Sequence, residues 1–231
     1  MEGTLGRLTP PDFEHVEKHR MLIATAVEKV ERILSLPYSY RVKYDQGSEG
    51  ACVGFASSWL QSIHNRVFYD ARWLYREAQL VDSWASTPPE EGTSVRAAMD
   101  ILRKVGHRRI FRGKTYPVHE SHGILANKWA TSVDEMRMCI AEGKAIAIGV
   151  NWYANFDRPT TKGVEKWIGE GDLGRIRGGH AVCLYGASDR RQAFRMVNSW
   201  GSAYPLVWLP YGTMQRLLNE HGEATIVSDR P

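Results

Sequence analysis

The chain has 231 residues, 43% of them apolar and 24% charged, which is the usage of an ordinary globular protein and excludes fibrous and disordered classes. A chain of this length buries about 70–75% of its unfolded surface, so it requires no disulfide or metal staple. The 30 Lys and Arg against 26 Asp and Glu leave a net charge of +4, too slight and scattered to specify a nucleic-acid partner.

The first twenty residues mix charges and prolines and contain no apolar run, so no secretory signal is read there, and the expected location is cytoplasmic. A phage or virus product released by lysis has the same appearance. Leu22, Ile23, Ala26, Val27, Val30, Ile33 and Leu34 recur with a 3.6-residue period and predict an amphipathic helix over Met21–Leu34. Glu28, Lys29, Glu31 and Arg32 interrupt it, so it needs a partner surface and does not span a membrane. Leu36-Pro37 ends the pattern and divides an N-terminal extension, 1–36, from a domain over 37–231.

Gly50 marks a turn, after which Val53, Phe55, Ala56, Trp59, Leu60, Ile63 and Val67 predict a helix over 51–69. A second helix is expected over 70–80 and a loop over 81–92, where Pro88-Pro89 falls. Thr93 or Ser94 caps a helix over 95–105 that Gly106 stops, and Ser132 caps another over 133–142 that Gly143 closes. Strands are expected at 145–150, 180–185, 194–198 and 206–209. Six glycines over 163–179 predict a mobile loop leading to His180. Helices gather before strands, so the expected class is α+β, with a helical lobe at about 45–115 and a sheet lobe at about 116–231.

Three cysteines, Cys52, Cys139 and Cys183, cannot all pair within one chain. Cys139 falls on a predicted helix and Cys183 on a predicted strand, and both read as small buried hydrophobes. Cys52 opens a predicted helix, where unpaired N–H groups and the positive end of the dipole favour a thiolate. A lowered thiol pKa is therefore expected there. His180 follows Gly178-Gly179 at the start of an apolar strand, and Asn198-Ser199-Trp200-Gly201 closes another. An Asn that accepts from one imidazole nitrogen fixes the tautomer and leaves the other for a thiol, with Trp200 covering the bond from water.

Gln46 to Cys52, Gly179-His180-Ala181 and Asn198 to Gly201 together resemble the signature of the papain-like (C1) cysteine peptidases. Gln46 precedes Cys52 by six residues, and His180 and Asn198 follow it by 128 and 146. Glu91 to Arg96 with Leu102 to Gly106 is similar to the segment after the catalytic helix of bacterial members. The resemblance implies a two-lobed fold with a cleft between a helical lobe and an antiparallel sheet or barrel. It implies Cys52 as nucleophile, His180 as its base and later acid, Asn198 as the group orienting the imidazole, and Gln46 with the Cys52 N–H as oxyanion hole. Gly50, Ala51, Val53, Gly179, Ala181 and Trp200 would line the substrate cleft, a peptide or protein would be the substrate, and no metal or organic cofactor is implied. Outside the hydrolase class, the same residues admit an idle homologue serving binding or assembly, or an acyl transferase.

The departures are specific. Glu49 stands where the signature has a Cys, Val53 where it has an aromatic, and Tyr204 near where a second Trp is common. No Gly-Gly pair follows a Cys over 70–92, the stretch in which relatives pair backbone with substrate. His119 and His122 lack further ligands at metal spacing and read as a polar loop. The basic run 108–114 reads as solvated surface. Trp59, Trp73 and Trp208 are expected in the core, and Trp152 and Trp167 in looser segments edging the cleft.

Overall fold

A computed structural model describes residues 4–8, 29–37, 44–83 and 91–229. Strand β1 (Glu31–Ile33) is followed by α1 (Cys52–Asn65), β2 (Phe68–Tyr69), α2 (Ala71–Val81), α3 (Val95–Lys104), β3 (Arg109–Phe111), β4 (Lys114–Thr115) and β5 (Ile124–Trp129). Then come α4 (Val133–Ala141), β6 (Ile146–Tyr153), β7 (Thr160–Lys162), β8 (Glu165–Trp167), β9 (Ile176–Ser188), β10 (Ala193–Val197), β11 (Val207–Pro210), α5 (Tyr211–Asn219) and β12 (Glu223–Asp229).

The caps explain where the helices start and stop. Asp70 accepts from Trp73 N–H and Ser94 from Ala97 N–H, so Ser94 rather than Thr93 is the α3 cap. Ser132 and Glu135 form a reciprocal capping box on α4. Gly106 and Gly143, past the ends of α3 and α4, have φ of 97° and 90°, a conformation that disfavours any side chain.

The described strands form a large sheet in the order β5-β12-β6-β9-β10-β11-β8-β7, with β1 also on β9. Every pairing is antiparallel except the contact of β8 with β11. A small sheet, β2-β3-β4, stands apart. Along β9 the residues alternate: Ala181, Cys183 and Tyr185 enter one core with Phe55, Trp59 and Leu60 of α1, while Val182 and Leu184 enter a second with Phe194 and Met214. The helix that begins at Cys52 thus packs on the strand that carries His180. The fold is α+β, and no helix among the described residues is long and apolar enough to cross a membrane.

Three expectations are corrected. Residues 31–33, the end of the expected amphipathic helix, form β1 and pair with Gly186 to Ser188; residues 21–28 lie outside the described residues. There the backbone of β9 offers Arg32 and its neighbours a ladder, which overrides local periodicity. The glycine-rich 163–179 segment is partly ordered into β8 and the start of β9. Trp152 is buried on β6, and Trp167 pairs with Trp208 at 6.1 Å. Cys139, Cys183, Trp59, Trp73 and Trp208 are buried as expected.

Candidate active site

Tyr44, Asp45 and Gln46 are zipped to Ser199, Trp200 and Gly201. Gln46 N–H donates to Ser199 O at 2.9 Å, Gly201 N–H to Tyr44 O at 3.2 Å, and Asp45 bridges Trp200. This joins the loop before α1 to the loop after β10. Ser199 Oγ donates to Gln46 Oε1 at 2.6 Å, and Gln46 Nε2 faces the carbonyls of Glu49 (2.9 Å) and Thr4 (3.0 Å). Only the NH2 end of an amide donates to two carbonyls, so the orientation of Gln46 is fixed by its partners.

His180 lies on β9 opposite Val150, and the chain leaves the β10 ladder after Val197 so that Asn198 reaches the imidazole. His180 Nε2 and Asn198 Oδ1 are 2.9 Å apart. Ser199 N–H also donates to Oδ1, at 2.7 Å, so Oδ1 is the acceptor and Nε2 carries the proton. Nδ1 then holds the lone pair; it is buried and has no hydrogen-bond partner among the described residues. Trp152 and Trp200 flank the ring at 4.6 and 4.9 Å, and Tyr204 meets Trp200 edge-on at 5.1 Å. Burial in this aromatic box lowers the His180 pKa to about 4, assisted by the charge of Arg177 and opposed by the Asn198 bond.

Cys52 is the first residue of α1 and fully buried. Its pKa is pushed up to about 12, not down, because desolvation outweighs the helix terminus. Backbone hydrogen bonding from Ala181, Gly6 and Val53 and the charge of Arg7 act in the opposite direction. The expected low thiol pKa is therefore reversed in this conformation. Residues 4–8 of the chain lie across this site as a strap, and Gly6 supplies one of those backbone hydrogen bonds.

The strap is held from both sides. Arg7 N–H donates to Gly179 O at 3.1 Å, Thr93 N–H to Gly6 O at 3.0 Å, and Leu8 N–H to Thr93 O at 3.0 Å. Trp200 Nε1 joins Gln46 in donating to Thr4 O, at 3.3 Å. A Cβ on Gly6 would lie 1.9 Å from Gly50 O, so only glycine passes there. Of the residues expected in the cleft, Gly50, Gly179 and Trp200 touch the strap directly. Ala181 approaches the thiol, Ala51 caps α1, and Val53 points into the core.

Thr93 does the backbone pairing that the missing Gly-Gly pair put in question, and only its position before a helix cap hinted at this. Gly92 beside it has φ of 124°, and a Cβ there would lie 2.4 Å from Gly6 O. Glu49, in place of a Cys, pairs with Arg72 at 3.0 Å on the surface. Trp152, expected at the cleft edge, lies against the His180 ring from a buried strand, whereas Arg7 and Glu223 carried no sequence signal for a role in the site. No group of three or more metal-ligating side chains occurs among the described residues.

Neither a protein-family model nor a curated protein matches this sequence. Solved structures do match. Xylellain, a cysteine protease from Xylella fastidiosa, aligns over 99% of this chain and 97% of its own, with a TM-score of 0.71 and 17% identity. Procathepsin B S9 from Trypanosoma congolense aligns over 99% and 87%, at 0.68 and 12%. Procathepsin L2 from the larval midgut of Tenebrio molitor aligns over 98% and 78%, at 0.63 and 15%. The fold is that of the papain-like cysteine proteases.

Proposed function

We propose that the protein is a cysteine peptidase that cleaves peptide bonds through Cys52, His180 and Asn198, and that the structure captures it covered by residues 4–8. One observation carries this reading: the His180 Nε2–Asn198 Oδ1 bond leaves a buried Nδ1 lone pair on the strand packed against the helix that Cys52 begins. When a peptide replaces the strap, Nδ1 takes the Cys52 proton and the sulfur attacks the substrate carbonyl carbon. The negative charge that develops on oxygen meets the Gln46 amide and the Cys52 N–H. The imidazolium then returns its proton to the leaving amine as the C–N bond breaks. Water, deprotonated by the same nitrogen, hydrolyses the thioester and restores the thiol.

The strap supports the reading because it already engages groups a substrate would meet: the donors Gln46 Nε2, Trp200 Nε1 and Thr93 N–H, and the acceptor carbonyls of Thr93 and Gly179. On this account residues 37–231 carry the catalysis and part of 1–36 supplies the cover. Three free cysteines and Glu49 in place of a disulfide partner suit a reducing compartment such as the cytoplasm.

The test is incubation of the full chain with a peptide mixture and mass-spectrometric identification of new termini. Cleavage that disappears in Cys52→Ala is expected. Its absence in a chain whose strap has been displaced overturns the reading and favours a binding role. Transfer of the acyl group to an added amine in preference to water would reassign the same site to acyl transfer.

A further inference from the structure

Arg7 does more than cross the cleft: its side chain enters a pocket built across three strands. Glu223 of β12 stands opposite Gly149 of β6, and Gly149 stands opposite Ala181 of β9. Directly opposed residues share a face, so Glu223, Gly149 and Ala181 form one row. Two strand spacings separate its ends, about 10 Å. Ala181 ends the row beside the Cys52 thiol. Gly149 leaves the middle open. A Cβ there would lie 2.9 Å from Arg7 Nε and 2.9 Å from Val95 Cγ2, so the guanidinium stem occupies the space a side chain would take, with Val95 as the facing wall.

At the end of this channel Arg7 Nη2 donates to Glu223 Oε2 at 2.9 Å and to His221 O at 3.0 Å. The side chains of Arg7 and Glu223 are 1% and 0% exposed. A carboxylate so far from water is unfavourable unless a cation matches it. When the strap leaves, Glu223 loses the match that Arg7 provides. A cationic substrate side chain entering by the same route would regain that contact.

We infer that the Glu223-floored pocket selects a basic residue, arginine above all, in the peptide substrate, and that Arg7 is the chain's own occupant of that pocket. This rests on the peptidase reading above. The channel length suits an extended cationic side chain, and a guanidinium can serve both the carboxylate and the His221 carbonyl. A neutral side chain of equal length cannot make the charge-assisted contact with Glu223 that Arg7 makes, which gives selection by attraction.

Two measurements on the full-length chain test this. In a randomised peptide mixture, cleavage products are expected to show arginine enriched roughly tenfold or more at one fixed position relative to the cut. The enrichment should vanish in Glu223→Gln and give way to leucine in the Arg7→Leu/Glu223→Leu double variant, which replaces the buried ion pair with apolar groups. Cleavage with no basic preference, or a preference untouched by both variants, overturns the inference.

The second measurement needs no turnover. In a Gly6→Ala chain, whose strap is displaced, a synthetic MEGTLGRLTP peptide should bind roughly tenfold or more tightly than its citrulline analogue, and Glu223→Gln should erase the difference. Equal binding of the two peptides overturns the pocket. Discrimination without any cleavage keeps the pocket and removes the peptidase reading instead.

Discussion

Gln46 donates its side-chain amide to the carbonyl of Thr4, 42 positions earlier in the chain, at 3.0 Å. The group proposed to steady a substrate oxyanion is thus already engaged by the protein's own backbone. Cys52 beside the strap is buried, and desolvation pushes its pKa up to about 12, so the resting thiol is protonated at neutral pH. On the proposed reading, thiol reactivity follows strap position.

Gly6→Ala should shift that equilibrium without touching a proposed catalytic group. The added Cβ would sit 1.9 Å from Gly50 O and 2.3 Å from its carbonyl carbon, both backbone, so the strap must move. Iodoacetamide labelling of Cys52 at neutral pH is expected to accelerate by roughly tenfold or more, following the exposed population. An unchanged rate would show that residues 4–8 do not protect the thiol.

Gln46→Ala should act in two directions at once. It removes a donor from the strap, so Cys52 labelling rises. It also removes a donor from the proposed oxyanion site, so kcat of peptide cleavage falls about 10²–10³-fold. Stopped assays of labelling and turnover on one preparation separate these effects. A parallel fall in both would make Gln46 a structural residue of the Tyr44–Gly201 zipper.

His180 gives the pH dependence a sign. Its folded pKa of about 4 lies below the ordinary 6.5, because burial favours the neutral ring. The folded chain therefore binds fewer protons than the unfolded one between these values. The stabilisation is fully present above pH 6.5 and is lost as pH falls through about 4. Around the ring stand Asn198, Trp152 and Trp200, with Arg177, itself paired with Asp157 at 2.8 Å, adding a depressing charge. Cys52, with its pKa near 12, stays protonated throughout this window. Thermal melts from pH 7 to 4 should fall less steeply for His180→Gln than for the native chain. Identical slopes would contradict a buried neutral His180.

Packing also outweighs propensity at Gly54, inside α1. Alanine is favoured over glycine in a helix by about 1 kcal/mol. Yet a Cβ at this position would lie 2.4 Å from Ala71 O and 2.8 Å from Tyr75 Cβ, where α2 crosses. Gly54→Ala is expected to lower Tm despite the better helix former, because rigid backbone must yield. A raised Tm would show that α1 and α2 separate easily.

Much of this architecture was legible in the sequence because local chemistry specified it. Ser94, Ser132, Gly106 and Gly143 delimit helices through caps and positive φ, and the apolar run at 145–150 sits in β6. What was not legible depends on partners distant along the chain. Residues 31–33 read as helical until the ladder with Gly186 to Ser188 is available. The short strands β2 to β4, and β5 and β12, have mixed polarity and owe their form to pairing.

The site divides the same way. Motif spacing picked out Cys52, His180, Asn198 and Gln46, and the structure links His180 with Asn198 and places Gln46 beside the strap. It could not reveal that Arg7 meets Glu223, 216 positions later, across a glycine gap. The expected thiolate at Cys52 failed for a related reason. A helix terminus is visible in sequence, but the tertiary burial that outweighs it is not.

The central claim is that Cys52 is a nucleophile activated by His180 once the strap moves. The direct measurement is alkylation of the Gly6→Ala chain by an epoxide thiol reagent near pH 6, with every cysteine mapped by mass spectrometry. The account predicts fast, selective modification of Cys52, abolished in Gly6→Ala/His180→Ala, while buried Cys139 and Cys183 remain unmodified. Slow and equal modification of all three cysteines, or Cys52 modification indifferent to His180, would contradict it.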